Sequence, residues 1–315
     1  MGAQIVSVKR QRDFLDMDFP GTKVEAHSRT QDRGGGFDST KQTKYGTIVE
    51  NCGLRPMNLD KLKKDWEDLA ERDALGAILT DASRADGKWD IAEFMATGAV
   101  EIEIILGHLA DIDHIPDFEG AALDFGCGVG RLTQPLAQRF ASCVGVDISQ
   151  QMIQRAESLN QYAHCRYVAH SNPNLPFADA SFSFIYSNIV LQHVPPRFSE
   201  QYLQAFVRVL APGGVLVFGV QDSFAAPDLS SRMTRLRHIL HLRSRIEDAL
   251  GRGEGNMQMH CLPERFVRRA LGSARVVDIQ FTNTAATDFN GKLFYLPQAP
   301  RSGYVGKQYC VVKEL

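Results

Sequence analysis

The chain has 315 residues, of which 44 % are hydrophobic and 23 % charged, and its net charge is −2. That length can bury a large core in one or two domains, and the near-neutral balance excludes a global field drawing in nucleic acid. The six cysteines form no C-x-x-C pair, which argues against a zinc ribbon or a disulfide framework and fits a reducing, cytoplasmic setting.

The first thirty residues are studded with Lys, Arg, Asp and Glu and hold no apolar h-region, so no signal peptide is expected. No stretch approaches the roughly eighteen apolar residues of a membrane span. Residues 1–50 are polar, are broken by Gly34-Gly35-Gly36, and read as a mobile arm. From Asn58 to about Leu109 the pattern turns helical. Leu62, Trp66, Leu69, Leu75 and Leu79 form one apolar stripe; Phe94, Met95, Val100, Ile102, Ile105 and Leu109 carry a second helix after a Lys88-Trp89-Asp90 turn. Trp66 and Trp89 are expected to pack within this helical region.

Short apolar strands then alternate with helices. The pattern predicts strands at Ala121–Asp124, Cys143–Asp147, Cys165–Ala169, Phe182–Ser187, Val215–Val220, Val276–Thr282 and Gln308–Val312. Helices are predicted at Arg131–Phe140, Gln150–Leu159, Ser199–Leu210 and Leu262–Leu271, the last with Pro263 near its first turn, where a missing N–H costs nothing. This alternation specifies a doubly wound parallel α/β sheet with helices on both faces. Two insertions break the rhythm. Residues 222–258 carry Met233, Leu236, Ile239 and Leu240 at helical spacing beside Arg232, Arg235 and Arg243, an amphipathic basic helix. Residues 285–305, with Pro297, Pro300 and Gly303, are loop-like.

The most specific segment is Leu123-Asp124-Phe125-Gly126-Cys127-Gly128-Val129-Gly130, followed seventeen residues later by Asp147 in Val144-Gly145-Val146-Asp147. Strand, glycine turn, helix, second strand and acidic tip together form a nucleoside site at the carboxyl end of a parallel sheet. Gly126 and Gly128 allow a tight turn and a close approach of backbone to ligand. Gly130 lets the next helix pack on the sheet. Asp147 can accept both ribose hydroxyls.

These residues resemble the class I S-adenosylmethionine-dependent methyltransferases, and the resemblance continues through Val146-Asp147-Ile148-Ser149, Leu175-Pro176-Phe177, Leu191-Gln192-His193-Val194 and Leu210-Ala211-Pro212-Gly213-Gly214, over about residues 120–220. It implies a Rossmann-like seven-stranded sheet whose last strand is antiparallel, with S-adenosyl-L-methionine as cofactor. It implies that Asp124, Gly126, Cys127, Gly128 and Gly130 hold the amino-acid end, that Asp147 holds the ribose, and that Ile148 and Met152 flank the adenine. The acidic residue that the family often carries before Leu-Pro-Phe is absent; Ser171 and Asn172 stand in the matching stretch as adenine contacts. Ser183 replaces the usual acid entering the fourth strand. Residues 51–115 look like the helical cap of bacterial members, lying over a core at 116–315.

Ser187, Asn188, Gln192 and His193 follow the fourth strand, where topology places cofactor and acceptor. His193 is the first candidate general base and His260, before the Leu262 helix, the second; each could equally be a histidine that only hydrogen-bonds backbone. Cys127 suits packing better than nucleophilic attack, and Tyr186 either nears the cofactor or packs in the core. The basic insertion is a solvated face, a lid meeting an anionic acceptor through Arg232, Arg235 or Arg243, or an element at a membrane surface. The expected reaction is methyl transfer to oxygen or nitrogen of a small molecule, with no nucleic acid as substrate. A nicotinamide-dependent oxidoreductase is the alternative, opposed by the G-x-G-x-G spacing; a non-catalytic cofactor binder on the same fold is another.

Overall fold

The computed structural model describes residues 58–225 and 258–314, apart from 82, 85–86 and 287–288, together with the backbone of Val49–Glu50. The polar segment 1–48 and the basic insertion with Arg232, Arg235, His238, His241 and Arg243 lie outside the described residues.

Two long helices come first. Helix α1 (Leu59–Ile78) is opened by Asn58, whose side chain accepts from the Lys61 N–H at 2.8 Å. At Asp73 it takes an extended backbone turn (φ −161°), and the Asp73 carboxylate accepts from the N–H groups of Gly76 and Gly87, restarting the helix and tying down the following loop. Helix α2 (Ile91–Asp111) is capped by Asp90, which accepts from the Glu93 N–H at 3.0 Å. Its Ile102, Ile105, Leu106 and Leu109 are buried, each contributing about 1.5–3 kcal/mol relative to exposure.

The sheet begins with β2 (Ala121–Phe125), then β3 (Ser142–Asp147), β4 (Cys165–Ala169), β5 (Phe182–Ser187) and β6 (Leu210–Ala225). It is completed by β8 (Arg275–Thr282), the two-residue β9 (Tyr295–Leu296) and β10 (Gly303–Val312). The order is β4-β3-β2-β5-β6-β10-β8-β9. The pairs β4/β3, β3/β2, β2/β5 and β5/β6 are parallel, and β10 runs antiparallel to both β6 and β8. The seven expected strands and the reversed last one are all present, with β9 added at the edge beyond β8. A separate parallel pair joins β1 (Val49–Glu50) to β7 (Gln258–Met259).

Period-two alternation divides the side chains between two faces. Leu123, Phe125, Ile185 and Phe218 pack under α5 (Pro196–Val209) and α6 (Glu264–Leu271). Ala122, Phe184, Tyr186 and Val217 face α2, α3 (Thr133–Ala137) and α4 (Gln150–Leu159).

Several boundaries differ from the sequence reading. The helix predicted over Arg131–Phe140 is only Thr133–Ala137: the glycine turn continues through Leu132, and beyond Ala137 the chain keeps single helical bonds, such as the Phe140 N–H to the Leu136 carbonyl, without a regular helix. The strand predicted as Val215–Val220 runs from Leu210 to Ala225 and that predicted as Gln308–Val312 starts at Gly303, since the two pair along nearly their whole length. The stretch 285–305 is therefore not simply loop: it holds β9 and the start of β10.

Candidate active site

The carboxyl ends of β2, β3 and β5 meet α1 around a cavity of about 140 Å³. The glycine turn forms its floor. Gly126, Gly128 and Gly130 all have positive φ. At Gly126 a Cβ would lie 2.1 Å from a Val190 methyl, so only glycine permits the turn from β2 to pass under the segment after β5. Ile189, beside it, is β-branched yet sits at φ 61°, a strained conformation of the kind found at functional sites.

Asp147 ends β3. Its Oδ2 accepts from the Gly128 N–H and its Oδ1 from the Ser149 N–H, both at 2.9 Å, so the carboxylate bridges the glycine turn and the start of α4. Burial pushes its pKa up to about 6, against the pull of these N–H donors. Helix α1 reaches the same place. Glu67 accepts from Ser149 Oγ (2.8 Å) and from the Gln150 and Gln151 N–H groups, closing the N-terminus of α4. Burial alone would raise the Glu67 carboxyl, but these hydrogen bonds outweigh it and hold the group below its ordinary value.

A buried polar network forms the wall toward α2. Glu101, fully buried, accepts from Arg131 Nη2 at 2.8 Å and from Tyr186 Oη and Asn188 Nδ2 at 2.7 Å each. Arg131 also donates to Thr97 Oγ1. Arg131 Nε and Asn188 Oδ1 are buried without a partner, and both residues line the cavity. The approach of α2 depends on Gly98, where a Cβ would fall 2.0 Å from the Arg131 carbonyl oxygen.

At the other end stands a short 3₁₀ turn, Leu191–His193. Gln221 Nε2 donates to Gln192 Oε1 at 2.8 Å, and Gln192 Nε2 lies 3.2 Å from His193 Nε2. The Trp66 ring meets the His193 ring edge-on, with centroids 5.5 Å apart.

Of the residues singled out from sequence, Gly126, Cys127, Gly128, Asp147, Ile148 and Met152 line the cavity, as do Asn188, Gln192 and His193. Gly130 lies behind it, packed on the Tyr167 ring. Asp124 is not in the lining: its Oδ2 accepts from Thr133 Oγ1 at 2.6 Å, its Oδ1 has no partner, and burial raises its pKa to about 7. It braces the glycine turn from beneath. Ser187 is turned inward, donating to the Phe125 carbonyl. Ser171 and Asn172 are outside the lining, and His170 stands there instead. The His260 ring is also outside it; burial lowers its pKa, while its backbone N–H donates to the Gln192 carbonyl at 2.7 Å. Cys127 is buried and its thiol pKa is raised by that burial, which suits packing. Tyr186 is a core residue serving Glu101. Sequence reasoning missed Arg131, Glu101 and the lining role of Trp66. The position of Arg131 directly after the third glycine was the one local clue.

Residues 123–218 match the family model for a methyltransferase domain. A malonyl-[acyl-carrier protein] O-methyltransferase of Pseudescherichia vulneris is 32 % identical over 121 residues, 38 % of this chain and 47 % of that protein. The trans-aconitate 2-methyltransferase of Streptomyces avermitilis is 29 % identical over 179 residues, 51 % of this chain and 61 % of that protein. The chain thus spans less than two thirds of the length of these curated relatives. The magnesium protoporphyrin IX methyltransferase of Synechocystis PCC 6803, solved with bound S-adenosylhomocysteine, superposes with a TM-score of 0.51 at 17 % identity over 82 % of this chain and 100 % of that one, a likeness of fold. Residues 123–218 are thus similar to a methyltransferase domain, set in a mostly parallel α/β sheet of the same fold as the Synechocystis structure.

Proposed function

We propose that the chain transfers a methyl group from S-adenosylmethionine to a small-molecule acceptor, at oxygen or nitrogen. The observation that carries this reading is Asp147. A carboxylate at the tip of β3, bonded to the N–H of the second glycine and facing the cavity, is the acceptor a ribose diol requires. The remaining lining fits the rest of the cofactor. An α-amino-acid end needs a donor for its carboxylate and an acceptor for its ammonium, and the orphaned Arg131 Nε–H and Asn188 Oδ1 are such a pair. Ile148 and Met152 offer an apolar slot for adenine. When bound, the cofactor supplies an electrophilic methyl carbon on a positively charged sulfur. The protein's own part is alignment and the exclusion of water.

In this reading α1 and α2 are the cap over the cofactor: Leu62, Trp66 and Ile78 supply the roof, and Glu67 latches it to α4. The relatives named above act on malonyl-[acyl-carrier protein] and on trans-aconitate, which supports a small or carrier-borne acceptor. Asp147→Ala tests the assignment. It should weaken S-adenosylhomocysteine binding by at least tenfold while leaving the folded state intact by circular dichroism; unchanged affinity would remove Asp147 from the cofactor site.

A further inference from the structure

We infer that His108, Asp278 and Cys310 form a binding site for a divalent transition-metal cation of the zinc class, which ties the end of α2 to the antiparallel edge of the sheet.

Three distant parts of the chain meet there. Asp278 of β8 and Cys310 of β10 are direct partners in the antiparallel ladder, so their side chains leave the same face of the sheet. Helix α2 covers that face: Cys310 belongs to the same packed core as Ile105 and Leu109. His108, in the last turn of α2, brings its Nε2 to 2.7 Å from Asp278 Oδ2. A β-bulge aims the aspartate. Cys310 pairs with Asp278 but Val311 pairs with Val276, which leaves Val277 as the extra residue. Val277 and Asp278 then both turn toward α2, the first into the core and the second onto His108. An imidazole nitrogen, a carboxylate oxygen and the Cys310 sulfur lie within 4.8 Å of one another. None of the three residues lines the cavity at the carboxyl ends of the strands.

The cluster has open ligand atoms. Asp278 Oδ2 takes the contacts of both His108 and Gln280 Nε2, the latter at 2.9 Å, and Oδ1 accepts from no described residue. The Cys310 thiol is fully buried, and no hydrogen bond ties it to a described residue. Gln308 stands two residues earlier on the same face of β10. Its Oε1 accepts from Tyr295 Oη at 2.8 Å, while its Nε2 is buried without a partner. A spare N–H beside the ligands is what a metal-bound thiolate or water needs as its outer hydrogen-bond donor.

The donor set selects the ion. Sulfur, imidazole and a single carboxylate suit a tetrahedral cation such as Zn²⁺ or Co²⁺, whereas Mg²⁺ and Ca²⁺ take oxygen ligands. Two anionic ligands and a neutral imidazole balance a divalent charge, and the fourth position is left for water. Burial and the charge of Asp278 push the Cys310 thiol up to about 12, so its proton passes to solvent when the metal–sulfur bond forms. The His108 Nε2 lone pair turns to the ion with the ring proton on Nδ1, and no electrons change hands. Two ligands about 2 Å from a tetrahedral ion stand about 3.3 Å apart. The His108–Asp278 contact therefore opens from 2.7 Å by a few tenths of an ångström, within reach of side-chain rotation. Gly98 and Glu101 lie on the same helix, so the ion would anchor the far end of the element that walls the cavity.

The test uses the full chain, stripped with EDTA, held in a reductant without thiols and titrated with cobalt(II) chloride. The expected result is a thiolate-to-cobalt charge-transfer band in the near ultraviolet with the visible d–d bands of tetrahedral cobalt, saturating at one ion per chain and displaced by zinc chloride. Cys310→Ala should abolish the charge-transfer band, and Asp278→Asn should weaken zinc binding by about tenfold or more. His108→Gln, at a half-exposed position, reads the same loss should Cys310→Ala fail to fold. Zinc should also raise the melting temperature of the unsubstituted chain and leave that of Asp278→Asn unmoved. Absence of the charge-transfer band in the unsubstituted chain overturns the site and leaves only a hydrogen-bonded His108–Asp278 pair. A band that persists in Cys310→Ala, or zinc affinity unchanged in both Asp278→Asn and His108→Gln, overturns it as well.

Discussion

Glu101→Gln probes the network that joins α2 to the cavity. The carboxylate is fully buried and compensates Arg131, which is itself only 3 % exposed. Its Oε2 serves Arg131, while its Oε1 serves both Tyr186 and Asn188. An amide of the same shape can keep an oxygen toward Tyr186 and Asn188 only by turning its NH₂ onto the guanidinium. Arg131 is then a buried charge without a counter-charge, a loss of about 3–5 kcal/mol when one partner of such a pair is removed. The two remaining hydrogen bonds also weaken, from about 1.5–3 kcal/mol each with a charged acceptor to about 1 kcal/mol with a neutral one. We therefore expect urea unfolding to show a loss of at least 3 kcal/mol, about 5 °C in melting temperature for a chain of this size. S-adenosylhomocysteine affinity should fall with it, because Arg131 and Asn188 line the cavity. The double change Glu101→Leu with Arg131→Met removes both charges and should recover most of the stability without recovering cofactor binding. A loss below about 1 kcal/mol for Glu101→Gln would refute the view that this pair is an uncompensated liability when split.

Gly98→Ala should cost about 1–3 kcal/mol in the same unfolding experiment, since the new methyl falls on the Arg131 carbonyl and backbone on both sides must shift; a neutral effect would contradict the close approach of α2 to the glycine turn. Cofactor affinity should depend on pH through Asp147. Its pKa is raised to about 6 and a ribose needs the ionised form, so calorimetric affinity should be level above pH 7 and fall by up to tenfold per unit below 6; a profile flat to pH 5 would exclude the carboxylate from the contact.

Much of this was legible in the sequence because it is local. Hydrophobic runs bounded by turn residues located every strand of the parallel core, and the glycine turn with Asp147 pointed to the end of the sheet where the cavity lies, since turn geometry and a strand tip are properties of adjacent residues. What stayed hidden depends on distant partners. Glu101 sits among the isoleucines of α2 as any solvated acid would, and only its contact with Arg131, thirty residues on, reveals it as a buried counter-charge. Trp66 reads as one more member of an apolar stripe; the packing of α1 over the 3₁₀ turn brings it against His193. His260 and His193 look alike as isolated histidines, yet one contributes a backbone N–H and the other a ring to the same Gln192. The helix after the glycine turn was read too long because apolar spacing and single helical bonds continue to Phe140 although the regular helix ends at Ala137.

The measurement that tests the central claim most directly is calorimetric titration of the chain with S-adenosylmethionine, S-adenosylhomocysteine and NAD. Micromolar binding of the first two at one site per chain, with no heat from NAD, is the predicted result. Binding of NAD, or of none of the three, would contradict the account.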